Sequence, residues 1–292
     1  TKEDPTLPNL NNFPIPNREL IIERKYFPPS SLGDIFAGIG CKYSCTFCPL
    51  KPPLLLRNPY SIVKEIKEVY EKYNTRDFSF EIASLTLEKS WLLKICELIK
   101  KEKLDILWSG YANAIDINEG LVRQMKSCGC WKLGIGFESG SDRILKKMKK
   151  PLSVKASINA ANILKKYKIF IYGSFIIGYP GEKKEDILAT IKLIRLIKPD
   201  AFSVHILVPK PGTIFFKYRK DDNFWSYSSS QVKMRGVNEN IVREIWDTLY
   251  PLSTLSERII LRKYFLSYKT MFLKVSEYIS YYLGLINNTK ED

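Results

Sequence analysis

Some features are scarce or missing in this 292-residue sequence, and each gap narrows the class of protein. Histidine occurs once, and no apolar run reaches the roughly 18 residues that a membrane-spanning helix requires. With Gly 15 and Pro 16, the composition is not that of a fibrous or low-complexity chain. No internal repeat and no export signal is visible in the sequence. These gaps indicate a globular protein, and 45% hydrophobic residues are enough for a full core.

Acidic residues are also few relative to basic ones. The sequence has 31 Asp and Glu and 46 Lys and Arg, which gives a formal net charge of +15. Such a surface attracts phosphates, anionic lipid headgroups or acidic substrates. Much of the excess is lysine spread along predicted helices, as in "KKEKLD" and "LKKMKKP". That spread is typical of solvated helix faces, so the charge alone does not identify a partner.

Strand-like and helix-like patterns alternate from residue 34 to residue 208. The segments predicted as strands are 34–40, 77–83, 105–112, 131–139, 169–178 and 201–208. Strands separated by helices form a parallel sheet with right-handed crossovers, and nearly continuous apolar strands indicate burial on both faces. The predicted fold is therefore α/β, an incomplete barrel of six β/α units. Thr86 is predicted to cap the helix that contains "KSWLLKICELIKK", and Gly129 to stop the next helix.

The chain divides into three predicted parts. Residues 1–30 are polar and proline-rich, like a linker from an upstream domain, and the first residue is Thr1 rather than methionine. We therefore expect the sequence to be the downstream part of a longer protein. Residues 31–215 form the partial barrel. Residues 216–292 are predicted to be a helical extension, either a cap on the barrel or a basic, aromatic helix on an anionic membrane.

The six cysteines are unevenly placed, with Cys41, Cys45 and Cys48 inside "CKYSCTFC" on the predicted loop after the first strand. The other three are Cys96, Cys128 and Cys130. A structural zinc site closes with four ligands, and no fourth ligand lies near this loop. His205, the one histidine, is predicted to be packed on the last strand. Three close thiolates favour an iron–sulfur cube with one open iron, and zinc is the alternative.

Three further loops at the carboxyl ends of predicted strands are unusual: "FESGS", "IGYPGE" and "LVPKPGT". Barrels of this type carry their chemistry at that rim. "CKYSCTFC" matches the CxxxCxxC signature of radical S-adenosylmethionine (SAM) enzymes, and the three loops resemble those after the fourth, fifth and sixth strands of that family's barrel. "LNNFPIPNREL" resembles the segment before the radical domain in the cobalamin-associated branch. The resemblance covers about residues 10–215.

The resemblance implies a 4Fe–4S cluster on the three loop cysteines and SAM on the fourth iron. An electron from the cluster would cleave SAM to methionine and a 5′-deoxyadenosyl radical, which abstracts hydrogen from the substrate. The residues that it assigns to SAM binding are Phe47, Glu138, Ser139, Ile176, Gly178, Val208 and Pro209. Glu138 and Ser139 would bond to the ribose or amino end of SAM, and the others would lie around its adenine.

Two departures from the branch concern the usual hold on the methionine end of SAM or the usual substrate. Ile82 and Ala83 stand where its members have paired acids, and "SGYANA" lacks the arginine expected near Tyr111. Glu81 is adjacent, but alternation along a strand turns it away from the side that Ile82 faces. A degenerate, non-catalytic protein that binds an iron–sulfur cluster or SAM is therefore one alternative.

The predicted function is a cobalamin-associated radical SAM C-methyltransferase, or a related enzyme, that modifies a lipid or another metabolite. The sequence has no D-x-H-x-x-G stretch, so cobalamin would bind a domain upstream of residue 1. The alternative enzyme is a tRNA-modifying protein of the methylthiotransferase type. We expect a one-electron donor such as flavodoxin or ferredoxin, with nucleic acid less favoured as a partner. The location predicted is the cytoplasm, with peripheral membrane contact through the carboxyl-terminal extension.

Overall fold

The computed structural model describes residues 9–22, 32–208 and 210–218. The helices within them are α1 (Glu19–Ile22), α2 (Pro59–Tyr73), α3 (Lys89–Lys101), α4 (Glu119–Ser127), α5 (Asp142–Lys147), α6 (Val154–Lys166) and α7 (Lys184–Ile197). The strands are β1 (Asp34–Phe36), β2 (Gly38–Ile39), β3 (Leu55–Leu56), β4 (Asp77–Glu81), β5 (Leu107–Ala112), β6 (Cys130–Glu138), β7 (Phe170–Ile177) and β8 (Ala201–Ile206). None of these helices is long and apolar enough to cross a membrane.

Six strands form one parallel sheet in the order β1-β4-β5-β6-β7-β8. The short strands β2 and β3 form a separate antiparallel pair, in which Gly38 lies opposite Leu56. Within the described residues β1 and β8 are the edges of the large sheet, so the barrel is open. The prediction of an incomplete α/β barrel is confirmed, and each of the six predicted segments overlaps one strand of the parallel sheet. The segment 34–40 is divided, because only β1 joins that sheet and β2 pairs with β3.

The two faces of the sheet differ in character. The face that packs on the helices carries a continuous apolar core, which includes Ile35, Phe78, Phe80, Trp108, Leu133 and Phe175. The opposite face, here called the inner face, carries polar and half-exposed side chains. Its members in the register of the strands include Asp34, Phe36, Ser79, Glu81, Ser109, Tyr111, Lys132, Tyr172, Ser174, Ser203 and His205. We call the carboxyl ends of the strands the rim and their amino ends the base.

Local signals explain most helix ends, with one exception. Asn58 caps α2 by accepting a hydrogen bond from the amide of Tyr60 at 2.8 Å, as the sequence predicts. The prediction that Thr86 caps the following helix is wrong, because α3 begins at Lys89. Thr86 instead donates its hydroxyl to Asp116 at 3.1 Å and accepts from the amide of Asn113 at 3.1 Å. Its hydroxyl therefore connects two loops.

Residues 9–22 are attached to the barrel by a buried ionic cluster. Arg18 donates to the carbonyl of Leu32 at 2.7 Å, to that of Asp34 at 3.0 Å and to the carboxylate of Glu65 at 2.7 Å. Arg57 donates to the other oxygen of Glu65 at 2.7 Å. Glu65 is fully buried and both arginine side chains are 5% exposed. Each buried charge is paired and hydrogen-bonded, and these contacts place the segment beside the start of β1.

Candidate active site

The three clustered cysteines lie on the loop between β2 and β3, beside the carboxyl end of β1. Cys45 is buried, whereas Cys41 and Cys48 are half-buried. The loop closes on itself, because Lys51 donates its ammonium to the carbonyl of Cys45 at 2.6 Å and its own carbonyl accepts from the amide of Cys41 at 3.2 Å. Gly40 allows this path, since its φ is +82° and a Cβ there would lie 2.0 Å from the carbonyl oxygen of Pro53.

Thr46 joins this loop to two other loops of the rim. Its amide and its hydroxyl lie 3.0 Å and 3.2 Å from the carbonyl of Met148, just after α5. Its hydroxyl also lies 2.8 Å from that of Tyr179, in the loop after β7. Hydrogen bonds between groups so far apart in sequence fix the loops after β1, β6 and β7 against one another.

Glu138 ends β6 and forms a buried ion pair. Its φ is +62°, and its carboxylate lies 3.1 Å from the ammonium of Lys150. Their side chains are 9% and 11% exposed. Gly136 makes room for the pair, because a Cβ there would lie 2.3 Å from a carboxylate oxygen of Glu138. Glu138 does not cap the next helix, since Ser141 occupies the N-cap of α5.

The pKa of Lys150 also depends on the cysteine loop. Burial lowers the pKa of its ammonium, but Glu138 and Cys45 outweigh burial and the pKa lies above its usual value. Burial raises the pKa of the Cys45 thiol, and the charge of Lys150 opposes that rise. A buried cation and anion thus stand beside the three thiols. Lys150 was not predicted from the sequence.

A small apolar cluster lies next to this pair on the rim. It contains Ile144, Met148, Ile176, Tyr179, Leu207 and Phe215, with Phe47 packed against it. The structure thus brings Phe47 and Ile176, both predicted to contact adenine, into one apolar group. Val208 follows this cluster and is exposed, while Pro209 lies outside the described residues.

Ser139 and Gly178 stand at the positions predicted, in the turns after β6 and β7. Ser139 is fully buried, and its hydroxyl lies 3.3 Å from that of Thr190 on α7 and accepts from the amide of Ser141 at 3.2 Å. In the described residues this hydroxyl therefore fastens the loop to α7. Gly178 has a φ of +79° and donates its amide to Glu182 at 2.5 Å.

Glu182 is a second charged group that the sequence did not reveal. One carboxylate oxygen accepts from the amides of Gly178 and Tyr179, at 2.5 Å and 3.3 Å. The other oxygen is buried and has no hydrogen-bond partner among the described residues. Burial raises the pKa of Glu182 to about 7. The turn after β7 thus depends on a carboxyl that titrates near neutral pH.

A family model for the Radical SAM superfamily matches residues 35–194, more than half of the 292-residue chain. The chain belongs to the radical SAM superfamily. The matched range starts at β1 and ends within α7, so it contains the cysteine loop, the Glu138–Lys150 pair and the turn after β7.

The chain is also similar to individual proteins of known sequence or structure. An uncharacterized methyltransferase of Pyrococcus horikoshii is 31% identical over 224 residues, which are 75% of this chain and 49% of that protein. A tRNA-2-methylthio-N(6)-dimethylallyladenosine synthase of Fervidobacterium nodosum is 25% identical over 197 residues, 63% of this chain and 46% of that one. The cobalamin-dependent SAM radical enzyme OxsB, solved with aqua-cobalamin and SAM bound, has a TM-score of 0.65 at 15% identity. That likeness, which shows the fold, covers 95% of this chain and 50% of OxsB. The chain thus spans about half the length of these relatives.

The residues present fit the cluster of a radical SAM protein. Three thiols share one closed loop, and two of them are half-exposed at the rim. Among residues 9–22, 32–208 and 210–218, no group of three or more His, Cys, Asp or Glu side chains could hold a single metal ion. Thiolates that bind three different irons of a cube need not converge on one point. The donor set, all sulfur, is the one that iron–sulfur clusters take.

The positions that depart from the cobalamin-associated branch lie at the carboxyl ends of β4 and β5. Ile82 is buried in the main core, whereas Glu81 is exposed on the inner face, as strand alternation predicts. His205 contradicts its prediction, because it is exposed rather than packed. It lies on the inner face, with a ring nitrogen 2.8 Å from the hydroxyl of Ser203. Because the sheet is open, this face is uncovered within the described residues. The apolar strand patterns had indicated burial on both faces.

Proposed function

We propose that this chain is the radical domain of an enzyme that binds a 4Fe–4S cluster through Cys41, Cys45 and Cys48 and generates a 5′-deoxyadenosyl radical from SAM. The observation that carries the proposal is the buried Glu138–Lys150 pair, 3.1 Å apart, electrostatically coupled to the thiol loop. When bound, the cluster supplies the electron for the reductive cleavage of SAM.

The chain's own residues bind and orient SAM. Lys150 offers a buried ammonium to the carboxylate of its methionine end, and Glu138 accepts hydrogen bonds from its ammonium or ribose hydroxyls. Both charges are already desolvated, and each would exchange part of its contact with the other for an opposite charge of SAM.

The apolar cluster of the rim has a second task. Phe47 and Ile176 provide a surface on which adenine can pack, and Gly178 lets the backbone approach it closely. The same surface excludes water from the place where the radical forms, which protects a reactive intermediate.

The reaction that we propose is methylation of a carbon atom, with cobalamin held by a part of the protein outside this chain. The similarity to a methyltransferase of Pyrococcus horikoshii over 75% of this chain supports it. Methylthiotransferase-like tRNA modification is the second candidate. It is supported by the similarity to a tRNA-2-methylthio-N(6)-dimethylallyladenosine synthase and by a net charge of +15, which favours nucleic acid.

The decisive experiment is anaerobic reconstitution with iron and sulfide, followed by dithionite and SAM that carries a deuterated methyl group. We expect 5′-deoxyadenosine and methionine from the chain, at background level from Cys45→Ala, and unchanged from the control Cys96→Ala. No 5′-deoxyadenosine above the Cys45→Ala background would favour a non-catalytic binding protein. In the full-length gene product, label on cobalamin supports methyl transfer, whereas sulfur incorporated into added tRNA supports the second candidate.

A further inference from the structure

The inner face of the sheet carries a row of side chains that the binding of SAM does not use. Strand register aligns Phe36 with Glu81, and Tyr111 with Gly134, Tyr172 and Ala201. The pairing of Phe80 with Gly110 places Glu81 beside Tyr111 in the same row. We call these six residues the Glu81 row. It runs across the sheet from β1 to β8.

The ring of Tyr111 lies against Gly134 in the centre of this row. A Cβ on Gly134 would lie 2.5 Å and 2.6 Å from two carbons of the tyrosine ring, so any larger residue would force the ring to move. The glycine therefore creates the place that the ring occupies. Tyr111 remains 52% exposed, so much of its side chain is accessible on the inner face.

The row is negatively charged, although the protein as a whole is strongly positive. Apart from the two tyrosine phenols, Glu81 is the one ionisable side chain in the row, and it is exposed. Ser79 donates its hydroxyl to one oxygen of Glu81 at 3.0 Å, which orients the carboxylate. Tyr172 and Glu81 both act electrostatically on Tyr111, whose phenol pKa is raised by burial and then by these two groups. The cation that the register places on this face, Lys132, lies one row nearer the base.

We propose that the Glu81 row binds the substrate of this enzyme through a cationic amine, held by the Glu81 carboxylate and the ring of Tyr111 on the neighbouring strand. A carboxylate beside an electron-rich ring is complementary to an ammonium group, since rings attract cations through their faces. This inference rests on the proposed function and names the substrate class for it.

The position of the row also sets the length of the substrate. On β6 the row crosses at Gly134, and Glu138 ends the strand four residues later. An irregularity between Gly136 and Glu138 makes these four residues span three residues of β7, so at about 3.3 Å per residue the amine would bind about 10 Å from the SAM end of that strand. The substrate is therefore an extended amine whose reacting carbon lies far from its nitrogen, rather than a compact amino acid.

The test measures binding of three probes of equal length, octylammonium, octanoate and octanol, to the reconstituted chain by calorimetry. We expect octylammonium to bind at least about tenfold more tightly than the other two, because only it pairs with a carboxylate. Glu81→Gln should remove that advantage, and Tyr111→Leu should reduce it several-fold. Glu97→Gln is the matched control, because that exposed glutamate is paired with Lys94 on α3 at 2.8 Å. Butylammonium should bind more weakly than octylammonium.

Two results would overturn the inference: equal binding of the three probes to the unaltered chain, or unchanged octylammonium binding in Glu81→Gln. The production of 5′-deoxyadenosine is measured on the same samples, which separates the two proposals. If Glu81→Gln loses probe binding while no sample cleaves SAM, the amine site stands and the radical function fails. If SAM is cleaved without charge-selective binding, the radical function stands and the amine site fails.

Discussion

The rim and the base of the parallel sheet each carry three cysteines, in contrasting surroundings. Cys41, Cys45 and Cys48 share one loop at the rim, where two of them are half-exposed. The base group is Cys96, Cys128 and Cys130, which are 1%, 5% and 1% exposed. A hydrogen bond between Cys96 and Cys128 raises the pKa of the Cys96 thiol, as burial also does, and lowers the pKa of the Cys128 thiol. Location in the fold thus separates thiols that are available as ligands from thiols that serve as core.

The surroundings of the two groups explain this difference. The rim group stands beside the buried charges of Glu138 and Lys150. The base group is covered by apolar side chains, and the indole of Trp108 donates to the carbonyl of Cys128 at 2.9 Å. A thiolate is stabilised by nearby cations and disfavoured by apolar burial. The comparison predicts that changes at the rim affect chemistry, whereas changes at the base affect stability alone.

The largest effect is expected from alanine at any rim cysteine. Cys41→Ala, Cys45→Ala and Cys48→Ala should each lose bound iron and sulfide and reduce 5′-deoxyadenosine to background, because a cube held by two thiolates is released. Iron and sulfide analysis of anaerobically reconstituted protein checks this. Cys96→Ala is the control from the base and should keep the full iron content. Equal iron loss in the control and the rim variants would remove the distinction between the two groups.

The second effect concerns the ion pair beside the rim thiols. Lys150→Met leaves Glu138 buried without a partner, which should lower the free energy of unfolding by about 3 kcal/mol or more. SAM affinity should fall at least about tenfold, because a charge-assisted contact is lost. Chemical denaturation and equilibrium binding of SAM measure the two quantities.

Two variants distinguish this role from simple packing. Lys146→Gln removes an exposed lysine of α5 and should change neither quantity. Lys150→Met combined with Glu138→Gln should recover most of the stability but not the affinity. Unchanged SAM affinity in Lys150→Met would place the cofactor elsewhere on the rim.

Only some features of the two ends of the sheet can be predicted from the sequence alone. Apolar strand patterns and the CxxxCxxC spacing are local, so the six strands and the rim thiols could be predicted. Lys150 could not, because it is one lysine among several in "LKKMKK", and the space for its ammonium depends on Gly136 of β6. Thr86 was misassigned because the group that its hydroxyl binds, Asp116, lies 30 residues away.

The third effect is a pH dependence of stability that belongs to the rim. Glu182 has a pKa of about 7 in the fold, against an ordinary value of 4.5. The folded state therefore binds the proton more tightly, so the free energy of unfolding falls as pH rises from about 4.5 to about 7. The change should amount to at most about 3 kcal/mol. Glu182→Gln keeps an oxygen for the amides of Gly178 and Tyr179 and should remove this contribution.

Denaturation curves across that pH range test the assignment. Glu185→Gln, an exposed glutamate on the first turn of α7, is the control and should keep the wild-type pH profile. A profile in Glu182→Gln that matches the wild type would assign the titration to another group.

The smallest effect is expected at the base, from Cys130→Ala. Cys130 is 1% exposed, and burial raises the pKa of its thiol well above the usual value, so it remains a neutral apolar group. Removing its sulfur takes away about as much buried apolar surface as one methyl group, which costs about 1 kcal/mol. Denaturation of the reconstituted protein should show that loss with iron content and 5′-deoxyadenosine unchanged. Cys130→Ser should cost more than Cys130→Ala, because it buries a hydroxyl in place of sulfur. If Cys130→Ala instead lowered iron content, the base thiols would take part in cluster assembly and the two ends of the sheet would not be chemically separate.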